Sequence, residues 1–313
     1  MSHQRMTRPI LFVSLLTVLC GPAWPQQMGD PDFDPRIDSP AYPLGKGPVV
    51  LIDEGHNNFH TAEGRYRPFA DLLRKDGYRV ASLSDRFAQD SLQKAEILVI
   101  ANALHESNVE SWTLPTPSAF TEREISAVEK WVRDGGALLL IADHMPFPGA
   151  AKDLATTFGF TFNNGFAYAP DEGKQGTRFS RADGSLKDHP ITRGSAPDER
   201  IDFVVTFTGQ AFRGPPEAEP LLVFGKSSYS LMPRQAWQFT EDTPRISVEG
   251  WYQGAVRRYG KGRIAVFGEA AALTAQLSGP KKVKIGMNNP AAKQNCQFAL
   301  NVVHWLSGQA CAR

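Results

Sequence analysis

The sequence predicts an α/β fold built on a mainly parallel sheet, and three observations carry that expectation. Runs such as Val49–Ile52, Ile97–Ile100 and Ala137–Ala142 are apolar at every position, as in strands buried on both faces. Segments of helical period alternate with them. A further strand-like run, Arg263–Phe267, restores the pattern after a long stretch rich in Gly, Pro and short β segments.

The elements follow in order. Residues 24–47 are rich in Pro, Asp and Gly and have no apolar period, so they read as an extended linker. The first strand ends at Asp53. Glu63–Lys75 has helical spacing and is stopped by Gly77. Tyr78–Leu83 and Ile97–Ile100 are the next strands, and a long loop runs from Asn102 to Phe120. Trp112 in that loop either stacks on a sugar face or seats the loop, and seating is the preferred reading. Thr121-Glu122-Arg123-Glu124 has the form of a capping box and starts a helix that ends at Gly135-Gly136. Ala137–Ala142 is the next strand, and Ala150–Phe158 the next helix. From Thr161 to Tyr259 the short β runs, such as Ile201–Phe207 and Leu221–Phe224, read as antiparallel additions or long β-rich excursions from the sheet. Gly45-Lys46-Gly47 and Gly260-Lys261-Gly262 are turns and lack the pattern of a phosphate loop. Ala291–Leu306 closes the domain, which we place at residues 48–313.

The first 23 residues have the parts of a secretion signal: Arg5 and Arg8, an apolar core from Ile10 to Leu19, and Gly21 and Ala23 before a cut. Export to the periplasm or beyond is the expectation, with no stable membrane span after cleavage. Loss of Arg5 and Arg8 turns the formal charge from +1 to −1. A near-neutral chain without a basic run gives no electrostatic reason to bind nucleic acid. Cys20 leaves with the signal, so a Cys296–Cys311 disulfide is expected in an oxidising compartment.

The chemistry gathers where strands end. Asp53, Glu54, His56 and His60 follow the first strand, Asn102 and His105 the third, Asp143 and His144 the next, and Glu269 the last. Parallel α/β sheets bind ligands outside the carboxyl ends of their strands. Glu54, His105, His144 and Glu269 are the candidate catalytic residues of a general acid–base pair, work that suits histidine because its pKa lies near neutral pH. Asp53, His56, His60 and Asp143 are the candidate ligands for a divalent metal such as zinc. Against the metal, Gly55 and Asn57-Asn58 argue for a loop, and the metalloprotease glutamate is missing. Each of these residues could equally cap a helix or close a turn.

Several stretches resemble the class I glutamine amidotransferase-like superfamily, and in particular an exported branch related to trehalose-utilisation-type proteins. They are Leu51-Ile52-Asp53-Glu54-Gly55-His56-Asn57-Asn58-Phe59-His60, Trp131–Gly136 running into Ala142-Asp143-His144, Asp188–Thr192, and Gly260–Glu269. The resemblance implies a flavodoxin-like three-layer sandwich. In true amidotransferases a cysteine stands on the sharp turn after a central strand. The equivalent turn here is Asp143-His144-Met145, with neither Cys nor Ser, which argues against a cysteine-dependent glutaminase. Two functions follow. One is an exported hydrolase-like or carbohydrate-active enzyme with a His/Asp/Glu site, acting on a small molecule or carbohydrate. The other is an extracytoplasmic ligand-binding domain without catalysis. Fold alone does not choose between them.

Overall fold

The computed structural model describes residues 27–170 and 176–309. Five strands lie parallel at the heart of one sheet, in the spatial order Arg79–Leu83, Val49–Asp53, Ile97–Ala101, Ala137–Ile141 and Gly262–Phe267. Counted along the chain, this order is 2-1-3-4-5. Four short or long strands continue the sheet antiparallel beyond the fifth. Tyr252–Tyr259 turns back through Gly260-Lys261 to pair with Gly262–Phe267, and Phe212–Arg213, Thr161–Phe162 and Glu219–Val223 complete the extension. Gly260 has φ +57°, a left-handed conformation that suits glycine in so tight a reversal.

Because side chains alternate along a strand, the apolar runs feed two cores. Val50, Ile52, Val99, Leu139 and Ile141 face Phe69, Leu72 and Leu73 of the Arg67–Lys75 helix and Phe298 and Val302 of the Asn295–Ser307 helix. Leu51, Leu98, Ile100, Leu138 and Leu140 face Val128 and Val132 of the Glu122–Asp134 helix and Leu154 of the Phe147–Thr157 helix. Each fully buried side chain of this size contributes about 1.5–3 kcal/mol, so both faces must be covered for the sheet to persist.

Helix ends follow local chemistry. The capping box forms as predicted: Thr121 Oγ1 accepts from Glu124 N–H, and Glu124 Oε2 accepts from Thr121 N–H. The first helix begins at Arg67, later than expected, because turns closed on the Thr61 carbonyl take up residues 61–66 and Pro68 suits a first turn. The Phe147–Thr157 helix begins earlier than expected, with Pro148 in its first turn. The closing helix begins at Asn295, because turns at Asn289 and Ala292 precede it.

The segment expected to be a linker is tied to the domain. Gln27–Gly29 pairs antiparallel with Ala275–Ser278, and Phe33, Ile37 and Tyr42 pack against the core. The predicted leader, residues 1–23, lies outside the described residues. Among those described, no helix is long and apolar enough to cross a membrane. Cys296 is a free thiol whose pKa burial pushes up to about 11. Cys311, the expected disulfide partner of Cys296, lies outside the described residues, as does Cys20.

Candidate functional site

The sheet register brings the site together. Ala101 is level with Ile141, and Ile141 with Phe267, so three parallel strands end flush. Asp143 and Glu269 each stand two residues beyond this line and share one floor. Glu269 is 2% exposed and accepts from Ala271 N–H (2.9 Å) and Ala272 N–H (2.7 Å), one on each oxygen. Asp143 is 8% exposed and accepts from His144 N–H (2.7 Å) and Ala270 N–H (3.3 Å). Burial pushes the Glu269 pKa well above the carboxylate range, and the charge of Asp143 raises it further. Two neighbouring buried carboxyls ionise together only at a cost, which favours the protonated form of Glu269.

His144 follows directly on Asp143. Its Nδ1 lies 2.7 Å from the Met145 carbonyl oxygen and must donate to it, which leaves Nε2 unprotonated. Burial lowers the pKa of the ring, so it is neutral at physiological pH. Phe166 stacks on it at 4.5 Å and Trp237 meets it edge-on at 4.6 Å.

The third strand contributes Asn102, held at φ +54°, which asparagine tolerates better than most residues. Its Oδ1 accepts from Asp143 N–H (2.9 Å), so its Nδ2 donates to His60 Nδ1 (3.1 Å). That assignment puts the His60 proton on Nε2, 2.8 Å from the side-chain amide of Gln276. Gln276 therefore presents its oxygen to His60. Its other amide position is buried without a partner. Burial, then the charge of Arg65, keeps His60 neutral with a pKa well below its ordinary value.

These groups border a cavity of about 70 Å³. Asp143, His144, His60 and Glu269 line it, with aromatic walls from Phe59, Trp112, Phe147 and Trp237. Trp112 is buried against Phe147 (5.0 Å) and Phe59 (5.3 Å), so it seats its loop and forms a wall as well. The loop carrying Trp237 is laced to the Trp112 loop: Ala236 N–H donates to the Trp112 carbonyl, and Leu114 N–H to that of Arg234, both at 2.9 Å. Trp237 is 42% exposed and has φ +67°, a conformation that costs a bulky residue on the order of 1–3 kcal/mol. Sequence reasoning missed Trp237, Gln276 and Gln27, which also lines the cavity. Trp237 lies in irregular chain, and the two glutamines sit on short strands whose partner cannot be read locally.

Four predicted residues belong elsewhere. His56 lies buried between two carboxylates, with Nδ1 2.9 Å from Asp53 and Nε2 3.0 Å from Glu124. Asn58 also donates to Asp53. Both ring nitrogens face acceptors, so the ring is cationic and the group is closed on itself. Glu54 accepts from Ala62 N–H and Ser82 Oγ and so braces the first loop. His105 caps the short Glu106–Asn108 helix by accepting from Ser107 N–H, and it borders a separate surface hollow. The metal set Asp53, His56, His60 and Asp143 is therefore not assembled. Asp53 and His56 are committed to each other, His60 is held by two amides, and among the described residues no three Asp, Glu, His or Cys side chains converge as metal donors.

No family model matches the sequence, and no curated protein matches it. Solved structures do. The N-terminal domain of mmIFT52 is 14% identical with a TM-score of 0.56, over 83% of this chain and 97% of that one. A ThuA-like protein from Parabacteroides merdae is 11% identical with a TM-score of 0.47, over 84% of this chain and 91% of that one. A GMP synthase component from Thermoplasma acidophilum is 11% identical with a TM-score of 0.42, over 84% of this chain and 94% of that one. At these identities the likeness is one of fold.

Proposed function

We propose that the chain is an exported, hydrolase-like acid–base enzyme acting on a small-molecule or carbohydrate substrate at the Asp143–His144–Glu269 cavity. The observation that carries this reading is the buried Asp143–Glu269 pair beside a neutral His144. A buried carboxyl with a raised pKa, a second carboxyl beside it and a nearby base are the parts that general acid–base catalysis needs. In hydrolysis of a neutral ester or glycosidic bond, His144 Nε2 takes a proton from the attacking water. Glu269 gives its proton to the leaving oxygen, and the Asp143 charge stabilises the imidazolium that forms. The 2-1-3-4-5 strand order supports a flavodoxin-like three-layer sandwich of the amidotransferase-like superfamily. The turn Asp143-His144-Met145 offers no nucleophilic thiol, so glutaminase chemistry forms no part of the proposal.

The test is a panel of nitrophenyl esters and glycosides, assayed with and without chelator. The wild type should turn over at least one member, unaffected by chelator, and His144→Ala and Glu269→Gln should each lose about 10²–10⁴-fold. A wild type that binds panel members and turns over none would overturn the enzyme reading. A non-catalytic extracytoplasmic binding domain would then stand, a reading that the small cavity and missing nucleophile favour.

A further inference from the structure

The rim of the cavity says what kind of molecule it takes. Among the described residues no Lys or Arg side chain lines the cavity, while Asp143 brings a carboxylate, so an anionic substrate group would meet no counter-charge. Besides His60, His144 and Glu269, the remaining polar lining consists of amides and a hydroxyl: Asn102, Gln276, Gln27 and Thr208. Such groups both donate and accept, which matches neutral hydroxyl groups. An ammonium ion would be served by acceptors alone. Gln276 is 1% exposed and keeps one buried amide position without a partner among the described residues, so a hydroxyl that reached it would meet an unused hydrogen-bonding group. The interior, at about 70 Å³, is too small for a whole sugar ring, since ligand pockets usually measure about 300–1,000 Å³. The rest of a ring must lie at the mouth, and there the chain holds Trp237, exposed and left-handed, over His144 and Phe166. Phe239, also exposed, packs against Phe166 beside it.

We infer that Trp237 is a stacking platform for an uncharged pyranose ring, one edge of which enters the cavity and places its hydroxyls against Gln276, Asn102 and the Asp143–Glu269 pair. The inference rests on the carbohydrate form of the proposed function and names its substrate class and a specificity-determining residue. An aromatic face packs against the C–H face of a sugar, and the amides satisfy the hydroxyls that would otherwise lose their water. Contacts with His144 at 4.6 Å and Phe166 at 4.8 Å hold the partly exposed Trp237 ring beside the cavity.

The test is titration of the full mature chain with neutral methyl pyranosides, glucuronate and choline, followed by tryptophan fluorescence and calorimetry. Wild type, Trp237→Ala, Trp237→Phe and Glu269→Gln are compared, with a urea midpoint as the folding control for each. At least one neutral pyranoside should bind the wild type and change its emission. Trp237→Ala should weaken that binding roughly tenfold, Trp237→Phe should keep most of it, and glucuronate and choline should bind more weakly. Pyranoside binding untouched in Trp237→Ala, choline binding tighter than any pyranoside, or no pyranoside binding at all would each overturn the inference. The two proposals separate cleanly. Trp237-dependent binding without turnover sustains the platform and sinks the enzyme. Turnover lost in Glu269→Gln but indifferent to Trp237→Ala does the reverse.

Discussion

Glu269 holds its proton more tightly than a free glutamate does, and His144 accepts one less readily than a free histidine. Burial causes both shifts, and Asp143 adds to the first. Activity should therefore follow a bell-shaped pH profile. The acid limb belongs to His144, below its ordinary value near 6.5, and the alkaline limb to Glu269, above the carboxylate range. Asp143→Asn should move the alkaline limb to lower pH in kcat/KM measurements, and an unmoved limb would detach Asp143 from the pair. His56 is the contrasting case. Burial works against its charge, but the bonds and charges of Asp53 and Glu124 outweigh it and raise its pKa above 6.5. The stability it contributes is present below about pH 6.5 and is lost as pH rises through the raised value. His56→Gln should cost about 3 kcal/mol in urea unfolding at pH 6, because it strands two buried carboxylates, and less at pH 9. Equal losses at both pH values would contradict the cationic ring. The strand-end rule pointed to Asp143, His144, His60 and Glu269, which line the cavity. The same rule pointed wrongly at Asp53 and His56, because a strand-end polar residue can find its partner on a helix far along the chain.

At the scale of elements, the most legible feature was the Thr121–Glu124 capping box, since both partners lie within four residues. What could not be read is that Glu124 has two roles: one oxygen closes the box and the other meets His56. The Thr121 amide and His56 hold its pKa down at about 2 despite partial burial. Thr121→Ala should therefore cost about 1 kcal/mol, the usual value of a cap, and Glu124→Ala clearly more, when urea midpoints are compared. The N-terminal strand was invisible for the opposite reason. Gln27–Gly29 pairs with Ala275–Ser278 across almost the whole chain, and Gly29 sits opposite Gln276, the residue that holds His60. A chain beginning at residue 31 should still fold around the five-stranded core, yet lose affinity or turnover at the cavity. Full activity in that truncation would show that the strand is only a surface strap.

For the molecule as a whole, the buried titrating groups set a pH window. His60 and His144 have lowered values, and His189 is held down at about 4 by burial and Arg193. Their contribution is complete above about pH 6.5 and is lost as pH falls. His56 and Glu269 have raised values, so they favour the folded state less as pH rises above about 6.5 and 4.5 respectively. Stability should climb to a maximum at about pH 6–7 and decline on both sides, which urea midpoints between pH 4 and 9 will show. Export belongs to this scale too: the mature chain should begin near Trp24, leaving the Gln27–Gly29 strand intact, and N-terminal sequencing would read it directly. Sheet type was legible because parallel strands buried on both faces leave a continuous apolar trace. The antiparallel half was not, since its short strands pair over long separations. The central claim is that burial and the Asp143 charge raise the acidity midpoint of Glu269 in the cavity floor, and carboxyl-carbon NMR across a pH titration tests it without any substrate. The Glu269 carboxyl should titrate well above 4.5, with its midpoint lowered in Asp143→Asn. Glu269 ionising near 4.5, in the wild type and the variant alike, would contradict it.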